Sequence, residues 1–156
     1  MVKTAVILAA GRGTRLKELG LEIPKGFLKI GEKPIIEESL NKLFASGVER
    51  VIIVTGHVAE KYEELAARSG GRILTVHNEK YADSGSLYSL YLARAKMDAC
   101  PAEKEEGFLL LESDLIYESR ALQMLQVDPR PDIILVSGKT NSRDEVWVLT
   151  EGGNLR

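Results

Sequence analysis

Five short apolar runs, each followed by a segment of helical period or a turn, constrain this chain more than any other feature. Residues 2–9, 51–55, 73–77, 108–111 and 133–137 are runs rich in Val, Ile and Leu, short enough for buried strands. Between them lie amphipathic stretches. In 34–45, Ile36, Leu40, Leu43 and Phe44 share one face, Pro34 suits the first turn and Gly47 the stop. In 58–68, Val58, Tyr62, Leu65 and Ala66 point inward, and Gly70 and Gly71 end the helix. A further helix is expected over 86–95 through Leu87, Leu90 and Tyr91, and a short one over 119–126. Continuous apolar strands alternating with helices predict an α/β fold: a three-layer, mostly parallel sheet with helices on both faces. In such sheets ligands bind beyond the carboxyl ends of the strands. Three polar segments fall at such ends: 11–15, 84–86 and 112–114.

The 156 residues suit one domain, and no linker, repeat or low-complexity stretch divides them. The acidic stretch 101–106 is expected to be a surface loop. Net charge is −2, which argues against a nucleic-acid binder that needs a broad basic face. The charge is uneven, with a net +4 over residues 1–33 and −6 over the rest. A cationic corner on an acidic body suits a small polyanion. Cys100 is the only cysteine, so no intrachain disulfide is possible. The apolar run 5–10 is too short for a secretion signal and leads straight into charged residues, and no segment is long enough to span a bilayer. A cytoplasmic protein is the default expectation.

The first strand delivers Leu8-Ala9-Ala10-Gly11-Arg12-Gly13-Thr14-Arg15-Leu16. Gly11 and Gly13 let the backbone turn and offer N–H groups to phosphate oxygens, while Arg12 and Arg15 add charge-assisted contacts. Leu16 stands where a dinucleotide fingerprint needs a third small residue, and no Gly-Lys-Ser/Thr sequence marks an ATPase loop. On spacing alone, a tight strand-to-helix turn with solvated arginines remains open. Lys25 follows Pro24, whose ring pre-aims it, and a lysine answering the upstream loop suits a phosphoryl group.

These residues, with Pro24-Lys25-Gly26-Phe27-Leu28 and Leu110-Leu111-Glu112-Ser113-Asp114-Leu115, resemble the nucleotidyltransferases that join a nucleoside triphosphate to a phosphorylated small molecule. More narrowly, Asn78-Glu79-Lys80-Tyr81, the segment 107–117 and 144–146 resemble the cytidylyltransferases for phosphocholine and 2-aminoethylphosphonate. The resemblance implies a Rossmann-like nucleotidyltransferase fold and, position by position, a set of roles. Leu8, Ala9, Ala10 and Gly11 would line base and ribose, and Gly11, Arg12, Gly13, Thr14 and Arg15 would wrap the triphosphate. Lys25 would contact the α-phosphate and the attacking oxyanion, and Lys25 and Arg15 would be the catalytic residues. Ser84, Gly85 and Ser86 would present a helix start to the nucleobase, although either serine also reads as an ordinary helix N-cap. Asp114 would bind Mg²⁺, with Glu112 sharing the site or lying in solvent.

The same resemblance implies a second metal-binding aspartate from a C-terminal part. No residue here matches it; Asp144 and Glu145 are the only late acids near an expected strand over 145–150. Glu151-Gly152-Gly153-Asn154 reads as a hairpin turn, so the chain is expected to be one nucleotidyltransferase domain, 1–156, that is C-terminally incomplete. An aminoalkyl acceptor needs an aromatic or acidic cation site, for which Tyr88, Tyr91, Tyr117, Trp147 and Glu145 are candidates. His57 and His77 lack metal-ligand spacing and read as structural or solvent-facing. The expected partners are CTP and a small phosphate or phosphonate acceptor, with Mg²⁺ as cofactor. UTP or dTTP with a sugar 1-phosphate, and a non-catalytic nucleotide-binding fragment, remain the alternatives.

Overall fold

The structure, a computed structural model, describes residues 1–16, 18–99, 107–138 and 147–155, without the side chains of Arg15, Leu19 and Leu21. Cys100, the 101–106 stretch, Asp144 and Glu145 lie outside the described residues. In chain order the elements are β1 (Thr4–Ala9), a short α1 (Leu19–Glu22), the hairpin β2 (Lys29–Ile30) and β3 (Lys33–Pro34), α2 (Ile35–Ala45) and β4 (Arg50–Thr55). Then come α3 (Glu60–Ala67), β5 (Ile73–His77), α4 (Ser86–Asp98), β6 (Leu109–Glu112), α5 (Ser119–Val127), and a terminal hairpin of β7 (Thr150–Glu151) and β8 (Asn154–Leu155).

The central sheet is wholly parallel, in the order β5-β4-β1-β6. All six residues of β1 are buried, as expected of a strand covered on both faces. Period-two alternation sorts them. Ala5, Ile7 and Ala9 join Val51, Ile53, Leu109 and Leu111 in a core closed by Ile36, Leu40 and Leu43 of α2, Tyr62 of α3 and Leu122 of α5. Val6 and Leu8 join Ile52 and Val54 on the other face, under Ala93 and Met97 of α4. The three layers read from the sequence are therefore present. Among the described residues no helix is long and apolar enough to cross a membrane.

Three sequence expectations are corrected. The helix after β4 begins at Glu60 rather than Val58, which sits in the preceding turn at φ +53. That left-handed conformation is strained for a β-branched residue. In α4 the buried residues are Ser89, Ala93 and Met97, whereas Leu87 and Tyr91 are 80% and 64% exposed. Small residues face the sheet because they let the helix axis come close; Leu90 packs at the margin. Finally, 133–137 forms no strand: Ile134, Leu135 and Val136 are exposed, and β6 is the sheet edge among the described residues. Of the strand expected over 145–150, only Thr150 is paired among the described residues. It returns through Gly152 and Gly153, at φ +59 and +84, to a two-residue β8, so the expected turn does form.

The α4 correction is testable by paired substitutions. Met97→Ala should destabilise the fold by about 2–4 kcal/mol in chemical denaturation, whereas Leu87→Ser should stay within about 0.5 kcal/mol of the parent. Equal losses would contradict the packing described.

Candidate functional site

At the carboxyl end of the sheet, a cleft of ≈ 190 Å³ opens between β1 and the start of α4. Leu8, Ala10 and Gly11 form one wall, and Ser84, Gly85, Ser86 and Ser89 the other. Asn78, Tyr81 and Glu112 complete the lining. Asn78 organises this region from a position only 1% exposed. Its Nδ2 donates to Ser84 Oγ (2.9 Å) and Ser89 Oγ (3.0 Å), and its Oδ1 accepts the Lys80 N–H (2.9 Å). Its own backbone N–H donates to Thr55 O at 2.8 Å. The Lys80 bond fixes which way the amide points, and every polar atom of this buried side chain is thereby engaged.

Gly85, in extended backbone, is the N-cap of α4, and no side chain caps the helix. The reading of Ser84 or Ser86 as an N-cap is therefore not met, since the Ser84 hydroxyl is taken by Asn78 and Ser86 is the first helical residue. The amides of the first turn are left without side-chain partners beside the cleft.

The second half of the site follows β1 directly. Gly13 adopts φ +63, a conformation glycine takes without strain, and its carbonyl accepts the Leu16 N–H at 2.8 Å to close a 3₁₀ turn over Thr14–Leu16. Arg12 and Thr14 are exposed, and the Arg15 side chain lies outside the description. His57 pins the next segment: its Nε2–H donates to the Gly20 carbonyl at 2.8 Å, which makes this histidine structural. His77 is exposed at the end of β5, with its ring edge-on to Tyr81.

Pro24, held extended at φ −67, introduces the 3₁₀ turn Lys25–Phe27. Lys25 passes close to the loop, its Cγ 3.6 Å from where a Cβ on Gly13 would stand. Its ammonium lies 3.3 Å from Asp114 Oδ2. Asp114 is brought there by β6, whose continuation docks on β1 through the Ser113 N–H and Leu8 O (3.1 Å). Glu112 joins the two halves, lining the cleft while sensing both Lys25 and Asp114. Partial burial pushes its carboxyl up, the neighbouring Asp114 charge adds to the rise, and Lys25 opposes it.

Beneath this junction stands Tyr62, fully buried on α3. Its hydroxyl abuts Gly26 and Ser113; a Cβ on Gly26 would come within 2.8 Å of Tyr62 Oη and 3.0 Å of Ser113 O. Position 26 must therefore be glycine. Burial pushes the Tyr62 phenol up to about 12, with the nearby Ser113 and Gly26 acting against the rise. Both lie within reach of the hydroxyl, and neither makes a hydrogen bond of good geometry with it.

The structure thus gathers Leu8, Ala10, Gly11, Gly13, Lys25, Ser84, Gly85, Ser86 and Asp114 around one end of the sheet. Ala9 alternates away, its methyl group lying in the α2 core. The aromatic candidates for a cation site are not assembled. Tyr117 has its hydroxyl on Ser39 (2.7 Å) and Lys42 over its ring, Tyr88 and Tyr91 stack on each other along α4, and Trp147 is 70% exposed. Spacing alone does not reveal that Asn78 and Tyr81 line the cleft or that Tyr62 reaches Gly26 beneath the Lys25–Asp114 junction. The sequence signal for Asn78 is an amide directly after the expected strand 73–77.

A parallel sheet that gathers a cleft, a glycine loop and a lysine–carboxylate pair at its carboxyl edge places them where open α/β sheets bind ligands. The chain belongs to the family of the MobA-like NTP transferase domain, whose model matches residues 5–149. It is 39% identical to a choline-phosphate cytidylyltransferase of Streptococcus pneumoniae over 154 residues, 97% of this chain and 66% of that protein. It is 31% identical to a 2-aminoethylphosphonate cytidylyltransferase of Lancefieldella rimae, again over 97% of this chain and 58% of the relative. The inositol-1-phosphate CTP transferase from T. maritima superposes with a TM-score of 0.64 at 26% identity, over 78% of this chain and 47% of the other. The chain thus spans less than two thirds of the length of these relatives.

The Asn78 network makes a direct prediction. Asn78→Ala should destabilise the protein by about 2–3 kcal/mol in denaturant titration, because it strands the Lys80 amide and the buried Ser89 hydroxyl. Ser84→Ala, which removes one bond from a half-buried group, should cost about 1 kcal/mol or less.

Proposed function

We propose that this protein transfers a cytidylyl group from CTP to a small phosphate or phosphonate, such as phosphocholine or 2-aminoethylphosphonate, releasing pyrophosphate. The observation that carries the reading is the junction of Lys25, Asp114 and Glu112 with the Gly13 loop, directly continuous with the cleft at α4. The identity to two cytidylyltransferases supports the choice of nucleotide and acceptor.

In this reading the cleft receives base and ribose, and the loop from Gly11 to Arg15 lies along the triphosphate. An acceptor oxygen, already anionic, forms a bond to the α-phosphorus as the bond to the β-phosphate oxygen breaks; no side-chain base is required. Lys25 then acts by alignment and by neutralising charge that builds on the α-phosphoryl oxygens. Its ammonium rests on Asp114 at 3.3 Å, with both side chains more than a third exposed, so the group is positioned without being locked away.

Asp114 and Glu112 are hard oxygen donors whose mutual repulsion a divalent cation would relieve, and that fits Mg²⁺. When bound, Mg²⁺ would supply charge neutralisation at the triphosphate.

Pyrophosphate release measured across CTP, UTP, dTTP, ATP and GTP, each with phosphocholine, 2-aminoethylphosphonate and a sugar 1-phosphate, tests the proposal. Turnover is expected with CTP and an aminoalkyl acceptor; turnover confined to another pair would overturn it. Lys25→Ala should reduce turnover at least a hundredfold, on the order of 3 kcal/mol of barrier. The fold should change by no more than about 1 kcal/mol, since the ion pair is partly solvated.

A further inference from the structure

One buried group beside the site lines no part of the cleft. Tyr62 belongs to α3, a helix that lends no residue to the cleft lining, yet it is 0% exposed and reaches the point where two functional segments touch. Its ring packs edge-on against Phe27, with centroids 5.0 Å apart at 71°. That ring–ring contact fixes the side chain against the turn that carries Lys25. The hydroxyl then ends between Gly26, next after Lys25, and Ser113, next before Asp114. It makes no hydrogen bond there.

A phenylalanine would fill nearly the same volume with nothing polar to desolvate, so packing alone does not account for a tyrosine. What the extra oxygen does is occupy space. The contact is already tight: a single carbon added to Gly26 would stand 2.8 Å from the hydroxyl and 3.0 Å from the Ser113 carbonyl. Lys25 and Asp114 are each one residue from that contact, and their charged groups meet at 3.3 Å.

We propose that Tyr62 is a positioning residue: its hydroxyl is a spacer that sets the distance between the turn bearing Lys25 and the strand end bearing Asp114. It touches no substrate and acts only through those two residues. As a role in transfer, the inference rests on the function proposed above; as a statement about the Lys25–Asp114 junction, it stands by itself.

Tyr62→Phe separates this role from a merely structural one, because the two predict opposite signs. Without the spacer, the variant should melt at the same temperature as the parent or higher, since an unpaired polar atom is gone. At the same time kcat should fall about tenfold, while KM for CTP shifts less than twofold, because the cleft residues are untouched. A lower melting temperature would show a paired, stabilising hydroxyl and overturn the proposal, as would an unchanged kcat.

Should the parent release no pyrophosphate with any nucleotide, the transfer reading fails. Tyr62 is then judged by labelling the folded protein with an amine-reactive ester and mapping the peptides. Faster labelling of Lys25 in Tyr62→Phe, by threefold or more relative to Lys3 and Lys96, upholds the spacer. Equal rates overturn it.

Discussion

The site depends on β1 being hydrogen-bonded along both edges in register. Leu8 lies opposite Val54 on one side and Glu112 on the other, so the carboxyl ends of β4, β1 and β6 finish within one row. Parallel strands must all deliver their following loops to the same edge. Gly11 to Leu16, His57 and Ser113-Asp114 are therefore brought together by backbone pairing before any side chain is considered. The Ser113 N–H on Leu8 O extends this pairing one residue past β6 and fixes where Asp114 begins. The apolar faces then hold the sheet from both sides, with Ile7 and Ile53 under α2 and Val6 and Val54 under α4.

Sequence reading recovers what local pattern controls. The order of β1, α2, β4, α3, β5, α4, β6 and α5, the terminations at Gly47 and Gly70 and the glycine turn of the terminal hairpin follow from short-range periodicity and backbone chemistry, whereas the two-residue strands β2 and β3 carry no such pattern. It fails where a partner decides. Leu87 and Tyr91 look like the inner face of a helix, but close approach to β1 and β4 selects Ser89 and Ala93 instead. Residues 133–137 have strand composition and lack a strand beside them among the described residues, and composition alone does not make a ladder. Tyr62 reads correctly as inward-facing, but nothing on its own helix says that its hydroxyl ends between residues 26 and 113.

The two halves of the site are stabilised by different physics. Around Asn78 the groups are buried and neutral, and each hydrogen bond replaces water at a defined geometry. Around Lys25 the groups are charged and partly solvated, so their mutual attraction is weak and salt-sensitive. A base and ribose would thus meet a wall whose shape is already set. A triphosphate would meet charges that are free to exchange one partner for another.

Burial pushes the Glu112 carboxyl up, and repulsion from the neighbouring Asp114 carboxylate adds to that rise. Lys25 compensates in part from the protein side. In the proposed function, an incoming polyanion would compete with Asp114 for the same ammonium, while Asp114 and Glu112 together would gain by accepting a cation. In the proposed reading, anion and cation would therefore favour each other's binding through Lys25 and Asp114, and a nucleotide arriving as a metal complex would fit this site better than either component alone.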